Sequence, residues 1–288
     1  MITAQSAQAA HPAAVEDFRF DALGANDAAI VETFAVPRYL AWFGELALEM
    51  LLVSEAARVA HLGCRTGYPD LEILKRIPRT ALVGVDGSEP ALDLARNKAA
   101  AAGITALEYQ LATGLPTGLP AEQFSHALCL HPRADRLGRV ALFGEMQRLL
   151  YRGGQALLAL PLSSSFRELT DLLAEYALKY DDSTLSDALE HASTERITIE
   201  GLALELEQAG LGDVDFEVRQ RSLRFDSGRA LVEDPATRFF ILPELEGWLG
   251  AVDLTEPSRY FVEAIDKYWS EDPIELGVTL VAVSARKG

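Results

Sequence analysis

The chain has 288 residues, 49% of them hydrophobic and 24% charged, and its 26 Lys and Arg stand against 43 Asp and Glu for a formal net charge of −17. This composition is that of a globular protein and excludes collagen-like, wholly disordered and membrane-spanning classes. The acidic balance also argues against binding nucleic acid, because phosphate contacts need clustered Lys and Arg. Two cysteines, Cys64 and Cys129, give no CxxC pair, so no disulfide framework is expected and a reducing cytoplasm is the expected setting. The opening residues carry neither a basic region nor a long apolar run, so no signal peptide and no membrane association are expected.

Residues 1–15, rich in Ala, Gln and Ser, read as a mobile tail, with one domain over 16–288. Leu40, Phe43, Leu46, Ala47, Met50 and Leu51 recur at the helical period, which predicts a helix over 38–53. Short apolar strands then alternate with helices. Strands are expected at 58–62, 81–86, 106–111, 125–131 and 156–162, and helices at 67–77 and 88–102, the latter opened by Ser88 and stopped by Gly103. A further helix is expected to begin near Asp135. This alternation implies a doubly wound α/β fold with a mostly parallel sheet covered on both faces. Beyond Pro161, helices near 165–180, 198–209, 235–249 and 256–269 and strands at 213–225 and 275–285 extend the sheet and build a cover. An antiparallel strand is expected near one edge. The core is set at 56–161 and the cover at about 16–55, 162–209 and 226–270.

In such a sheet, ligands bind beyond the carboxyl ends of the strands where strand order reverses. The turn after the first strand reads His61-Leu62-Gly63-Cys64-Arg65-Thr66-Gly67, and the second strand ends in Asp86-Gly87-Ser88, with Asp86 19 residues beyond Gly67. That is the spacing at which an acid meets the ribose of a bound nucleoside. RVAHLGCRTGYPDLEIL, ALVGVDGSEPALDLARNKAAAAG, FSHALCLH and YRGGQALLALPL follow in order. With these blocks the chain resembles the class I S-adenosylmethionine-dependent methyltransferases, whose first motif has the form acid-x-Gly-x-Gly-x-Gly. An NAD-dependent dehydrogenase fits less well, since the turn lacks GxGxxG.

The resemblance implies a Rossmann-like fold, S-adenosylmethionine as cofactor, no metal, and a cofactor site at His61, Gly63, Cys64, Arg65, Gly67, Asp86, Gly87, Leu111, Ala112 and Leu130. It also marks departures. His61 stands where the family has the acid that holds the cofactor's amino group. Arg65 stands where it has the middle glycine, Leu111-Ala112-Thr113 where an Asp contacts adenine, and His126 where an Asp opens the fourth strand. A hydrogen bond to a charged group contributes about 1.5–3 kcal/mol, so losing two such acids takes a micromolar ligand to roughly millimolar. Arg65 also brings a cation toward a positive sulfonium, although it can equally meet the cofactor's carboxylate.

His131, at the tip of the fourth strand, is the candidate catalytic base for a hydroxyl or amine acceptor; its other reading is a polar cap before Pro132. His61, Cys64, Cys129 and His131 alternate along two strands, so no metal site is expected and both cysteines read as core or loop residues. Arg133, Arg136 and Arg139, with Arg65, form either an anion site or an ordinary solvated helix face. Phe239, Phe240, Trp248, Tyr260, Tyr268 and Trp269 line either an acceptor pocket or the core. Two functions follow: a methyltransferase acting on a small molecule or a protein, or an inactive methyltransferase-fold binding or scaffold module. The charge is unevenly spread, with 12 Lys and Arg against 9 Asp and Glu over 56–161 but 12 against 26 over 162–288. An acidic cover over a mildly basic core disfavours polyanionic acceptors.

Overall fold

The computed structural model describes residues 18–195, 197–250 and 252–288; the expected tail over 1–15 lies outside them. The apolar runs form strands because Val, Leu and Ala side chains facing both ways bury both faces of a central sheet. The strands are β1 (Arg58–Leu62), β2 (Ala81–Asp86), β3 (Leu107–Leu111), β4 (Phe124–Leu130), β5 (Leu150–Pro161), β6 (Leu211–Phe225) and β7 (Ile274–Lys287). They make one sheet in the order β3-β2-β1-β4-β5-β7-β6. β1 to β5 pair in parallel, while β7 runs antiparallel to both β5 and β6. β4 is buried along its whole length, whereas β6 at the edge is mostly half-buried or exposed, as position in the sheet requires.

Successive strand residues feed two cores on opposite faces. Val59, Leu128 and Leu157 join Tyr39, Phe43, Phe166, Phe240 and Phe261 on one face. Ala60, Cys129 and Leu158 join Phe143, Leu202, Phe18 and Phe20 on the other. Both cysteines are free and buried, as read.

The first core is covered by a continuous rod made of α1 (Ala25–Ile30), a π-helical stretch (Val31–Leu40) and α2 (Ala41–Met50). The helix expected from residue 38 thus begins earlier and stops at Met50. Pro37 sits within the π stretch, where it donates no N–H and its ring crowds the preceding carbonyl, and the wider winding accommodates both. α3 (Asp70–Arg76) is shorter than expected, since the chain is still turning at Gly67, with φ +79°. α4 (Glu89–Ala101) is capped by Ser88, whose Oγ accepts from the Ala91 N–H at 3.2 Å. α5 (Arg136–Leu149) is capped by Asp135, which accepts from the Gly138 N–H at 2.8 Å. β5 starts at Leu150, six residues before the expected 156, because Gly153 and Gly154 lie inside a strand that shifts register there rather than in a turn.

The cover comprises α6 (Arg167–Lys179), α7 (Ser183–Glu195), α8 (Ile199–Gln208), α9 (Gly228–Glu233), a π turn (Thr237–Ile241), α10 (Leu242–Leu249) and α11 (Thr255–Tyr268). α7 was not expected, and the helix expected over 235–249 is the π turn running into α10. Among the described residues no helix is long and apolar enough to cross a membrane.

Candidate functional site: the cleft at the β1 and β2 tips

Strand order reverses between β1 and β4, which places the switch-point cleft over the Gly63–Gly67 turn. Backbone bonds shape that turn: the Gly63 and Cys64 N–H groups donate to the Val85 carbonyl at 2.8 and 3.1 Å, and the Gly67 N–H to Cys64 O at 2.7 Å. Gly63, Arg65 and Gly67 all have positive φ, at +66°, +48° and +79°. A Cβ on Gly67 would meet the Tyr109 hydroxyl at 2.7 Å and the Ala95 methyl at 2.9 Å, so only glycine fits there. Arg65 adopts a glycine's conformation with a full side chain, a strained position.

That side chain turns into the cleft. Its guanidinium donates to the Leu130 and His131 carbonyls, both at 3.0 Å, reaches Asp21 at 3.8 Å and lies 5.2 Å from the Phe240 ring centre. Leu130, expected to contact the cofactor, therefore contacts Arg65 instead.

Asp86 is 1% exposed. Its two oxygens accept from the Arg65 N–H and the Ser88 N–H, both at 2.9 Å. Burial pushes its carboxyl up from the ordinary range, against the pull of the Arg65 cation and the two N–H bonds. The carboxylate thus ties the first turn to the second.

His61 points at neither solvent nor cleft. Its Nδ1 pairs with Asp70 Oδ1 at 2.6 Å, both buried, and the half-buried Tyr109 donates its hydroxyl to Asp70 Oδ2 at 2.9 Å, a triad of His, Asp and Tyr. Asp70 and Tyr109 were not singled out in the sequence, because they lie in the next helix and two strands away.

The rest of the cleft is filled from the N-terminal side. A strap over 18–23 runs across it: the Phe20 N–H donates to Thr113 O at 3.0 Å, the Leu115 N–H to Phe18 O at 3.3 Å, and the Ser88 hydroxyl to Leu23 O at 2.7 Å. Asp21 pairs with Arg133. The Phe20 ring covers Gly63, and the Phe20 and Asp21 carbonyls press on Gly87, where a Cβ would meet them at 2.9 and 3.0 Å. The sequence signal for the strap was the alternation Phe18-x-Phe20. Leu111 is left half-exposed, and Ala112 packs on the second core.

The space remaining among Phe18, Phe20, Gly63, Arg65, Asp86 and Leu130 is about 20 Å³, room for about one water. The departures at His61 and Arg65 are therefore structural replacements rather than gaps. With no acid at residue 61, no polar side chain at 112 and no volume, the residues present do not fit S-adenosylmethionine in this state.

His131 departs from the catalytic expectation. It is wholly buried, with φ +47°, its Nε2 3.0 Å from the Tyr39 hydroxyl and its ring packed edge-on to Tyr39, Phe43 and Phe240 at 5.0–5.4 Å. Burial, helped by the Arg65 charge, pushes its pKa down to about 3. A neutral ring inside three aromatic walls is a structural group, not a base that meets an acceptor.

The arginine anion site also dissolves. Arg139 closes on Glu205 with two 2.8 Å bonds, Arg133 pairs with Asp21, and Arg65 is spent on carbonyls. Arg133 and Arg139 thus form neither an anion site nor a solvated face, because acids distant in sequence reach them, while Arg136 stays 62% exposed. No group of His, Cys, Asp and Glu among the described residues is placed to hold a metal. Burial drives the Cys64 thiol well up and the Cys129 thiol to about 12. Of the six cover aromatics, Phe240 is core and Trp248 lines a cavity under the cover.

Residues 59–154 match a family model described as a methyltransferase domain. No curated protein matches the sequence. Among solved structures, the chain is similar to a putative methyltransferase from Bacillus halodurans C-125, at 18% identity over 86% of this chain and 98% of that one, with a TM-score of 0.54. The YcgJ protein from Bacillus subtilis is 14% identical over the same shares, with a TM-score of 0.53. The cyclase SpnF is 14% identical over 96% of this chain and 88% of its own, with a TM-score of 0.52. A third of the chain thus matches a methyltransferase-domain model, and the chain has the fold of the class I S-adenosylmethionine-dependent methyltransferases.

Proposed function

We propose that this chain is a binding module built on the methyltransferase fold, with its cofactor cleft closed by its own residues and its partner, a small molecule or a protein, taken elsewhere. The observation that supports this reading is the content of the cleft: the Arg65 guanidinium, the Phe20 ring and the strap carbonyls leave about 20 Å³, against the roughly 300 Å³ or more of a ligand pocket. Fold alone does not impose methyl transfer, and the cyclase among the similar structures carries a different activity in its name.

One observation favours methyl transfer as a second reading. Gly63, Gly67 and Asp86 keep the family's places, and the strap is held by a few backbone bonds, one hydroxyl and the Asp21–Arg133 pair, so its release would uncover them. Calorimetric titration with S-adenosylmethionine and S-adenosylhomocysteine separates the two. The binding-module reading expects no heat and no rise in Tm at about 1 mM ligand, since a ligand well above its Kd must stabilise the protein it binds. Micromolar binding of either compound would reject it in favour of methyl transfer.

A further inference from the structure

A second space lies on the other side of the segment that follows β4, between the start of α5 and the cover helices α7 and α10. Its volume is about 370 Å³, within the range of ligand pockets. The buried Leu160, Ala192, Ile197 and Leu249 and the Trp248 indole give it an apolar interior. A smaller space of about 180 Å³ adjoins it, sharing Ala192, Trp248 and Leu249 as wall.

The charges around it are unequal in what they already meet. Glu205 is closed by both nitrogens of Arg139, Asp135 is spent on capping α5, and Glu244 accepts from the Trp248 indole N–H at 3.0 Å in the field of Arg133. Each of these three carboxylates thus meets at least one donor of the chain. Arg136 is different. Its side chain is 62% exposed at the rim, and among the described residues its ion-pair contact is a 3.9 Å approach to the Glu205 that Arg139 already holds.

Resting on the binding-module reading above, we propose that this cavity takes an anionic amphiphile, with its apolar body beside Trp248 and its carboxylate at Arg136. A cavity of about 150 Å³ holds a benzene, so 370 Å³ takes a body of about fifteen non-hydrogen atoms. The burial of that body supplies most of the affinity, and the guanidinium at the rim selects the head group.

Three probes with one tail test this on the full chain: decanoate, decanol and decyltrimethylammonium, each below its micelle concentration, followed by Trp fluorescence and calorimetry. Decanoate is expected to saturate and to bind about tenfold tighter than decanol, with the ammonium probe weakest. Arg136→Gln, a surface change, should weaken decanoate about tenfold and leave decanol unchanged. Ala192→Phe, which fills the cavity, should abolish both. The proposal is overturned if no probe saturates, if decyltrimethylammonium binds as tightly as decanoate, or if decanoate is indifferent to Arg136→Gln. S-adenosylhomocysteine binding in the same experiment would overturn the closed cleft while leaving the decanoate result standing, so the two failures are distinguishable.

Discussion

Two spaces open at the carboxyl edge of one sheet, and they differ in how far the chain has filled them. At the β1 and β2 tips, the groups a ligand would address are taken by the protein: both oxygens of Asp86 by N–H groups, the carbonyls of Leu130 and His131 by Arg65, and the backbone at Gly87 by the strap. At the β4 and β5 tips, Asp135 and Glu244 meet donors of the chain while Arg136 stays exposed, around an interior of about 370 Å³. The contrast teaches that a switch point offers a place for a ligand but does not reserve it. A cleft with strong hydrogen-bonding groups and no ligand costs stability unless the chain satisfies those groups itself.

The largest test of that contrast is Asp86→Ala. If the carboxylate is a structural tie, its removal strands two buried N–H groups, and urea unfolding should show a loss of about 2–5 kcal/mol. A loss below about 1 kcal/mol would mean that the acid is held for a ligand instead.

A second test uses pH. His131 has a folded pKa of about 3, below its unfolded value, so the unfolded chain binds the proton first as pH falls. Stability from this group is complete above about pH 6.5 and declines by about 1.4 kcal/mol per unit below it, about 2 kcal/mol at pH 5. His131→Asn, which tolerates the same backbone, should flatten that slope; an unchanged slope would place the titration elsewhere.

The smallest expected effect is local. Gly87→Ala would set a methyl 2.9 Å from the Phe20 carbonyl and lift the strap. Amide exchange at Phe20 and Leu115 should quicken about tenfold with a change in Tm of only a few degrees. Unchanged exchange there would show that the strap does not rest on Gly87.

How much of this was legible follows from where each signal lies. β1, β2 and the capped helix α4 were read to within a residue, because apolar runs and a Ser cap are local facts. α7 escaped because its few apolar residues, Leu185, Ala188, Leu189 and Ala192, are spaced among Ser, Thr, Asp and Glu that also suit loops. The site was legible in its members but not in its pairings. His61 and Arg65 were marked as departures, but what they replace the cofactor with depends on Asp70, Tyr109, Asp21 and the strap, which only the folded chain brings together. Arg133 and Arg139 were misjudged for the same reason: their counter-charges, Asp21 and Glu205, are about 70–110 residues away.

Arg65 keeps a left-handed backbone at φ +48° and the same N–H to Asp86 that a glycine there would give. Whatever conformational work the turn needs is done by its neighbours, so the residue at 65 is a plug rather than a strut. For engineering, the cleft is a vacancy held by one side chain and a short segment of strap. Its geometry does not have to be rebuilt, only emptied.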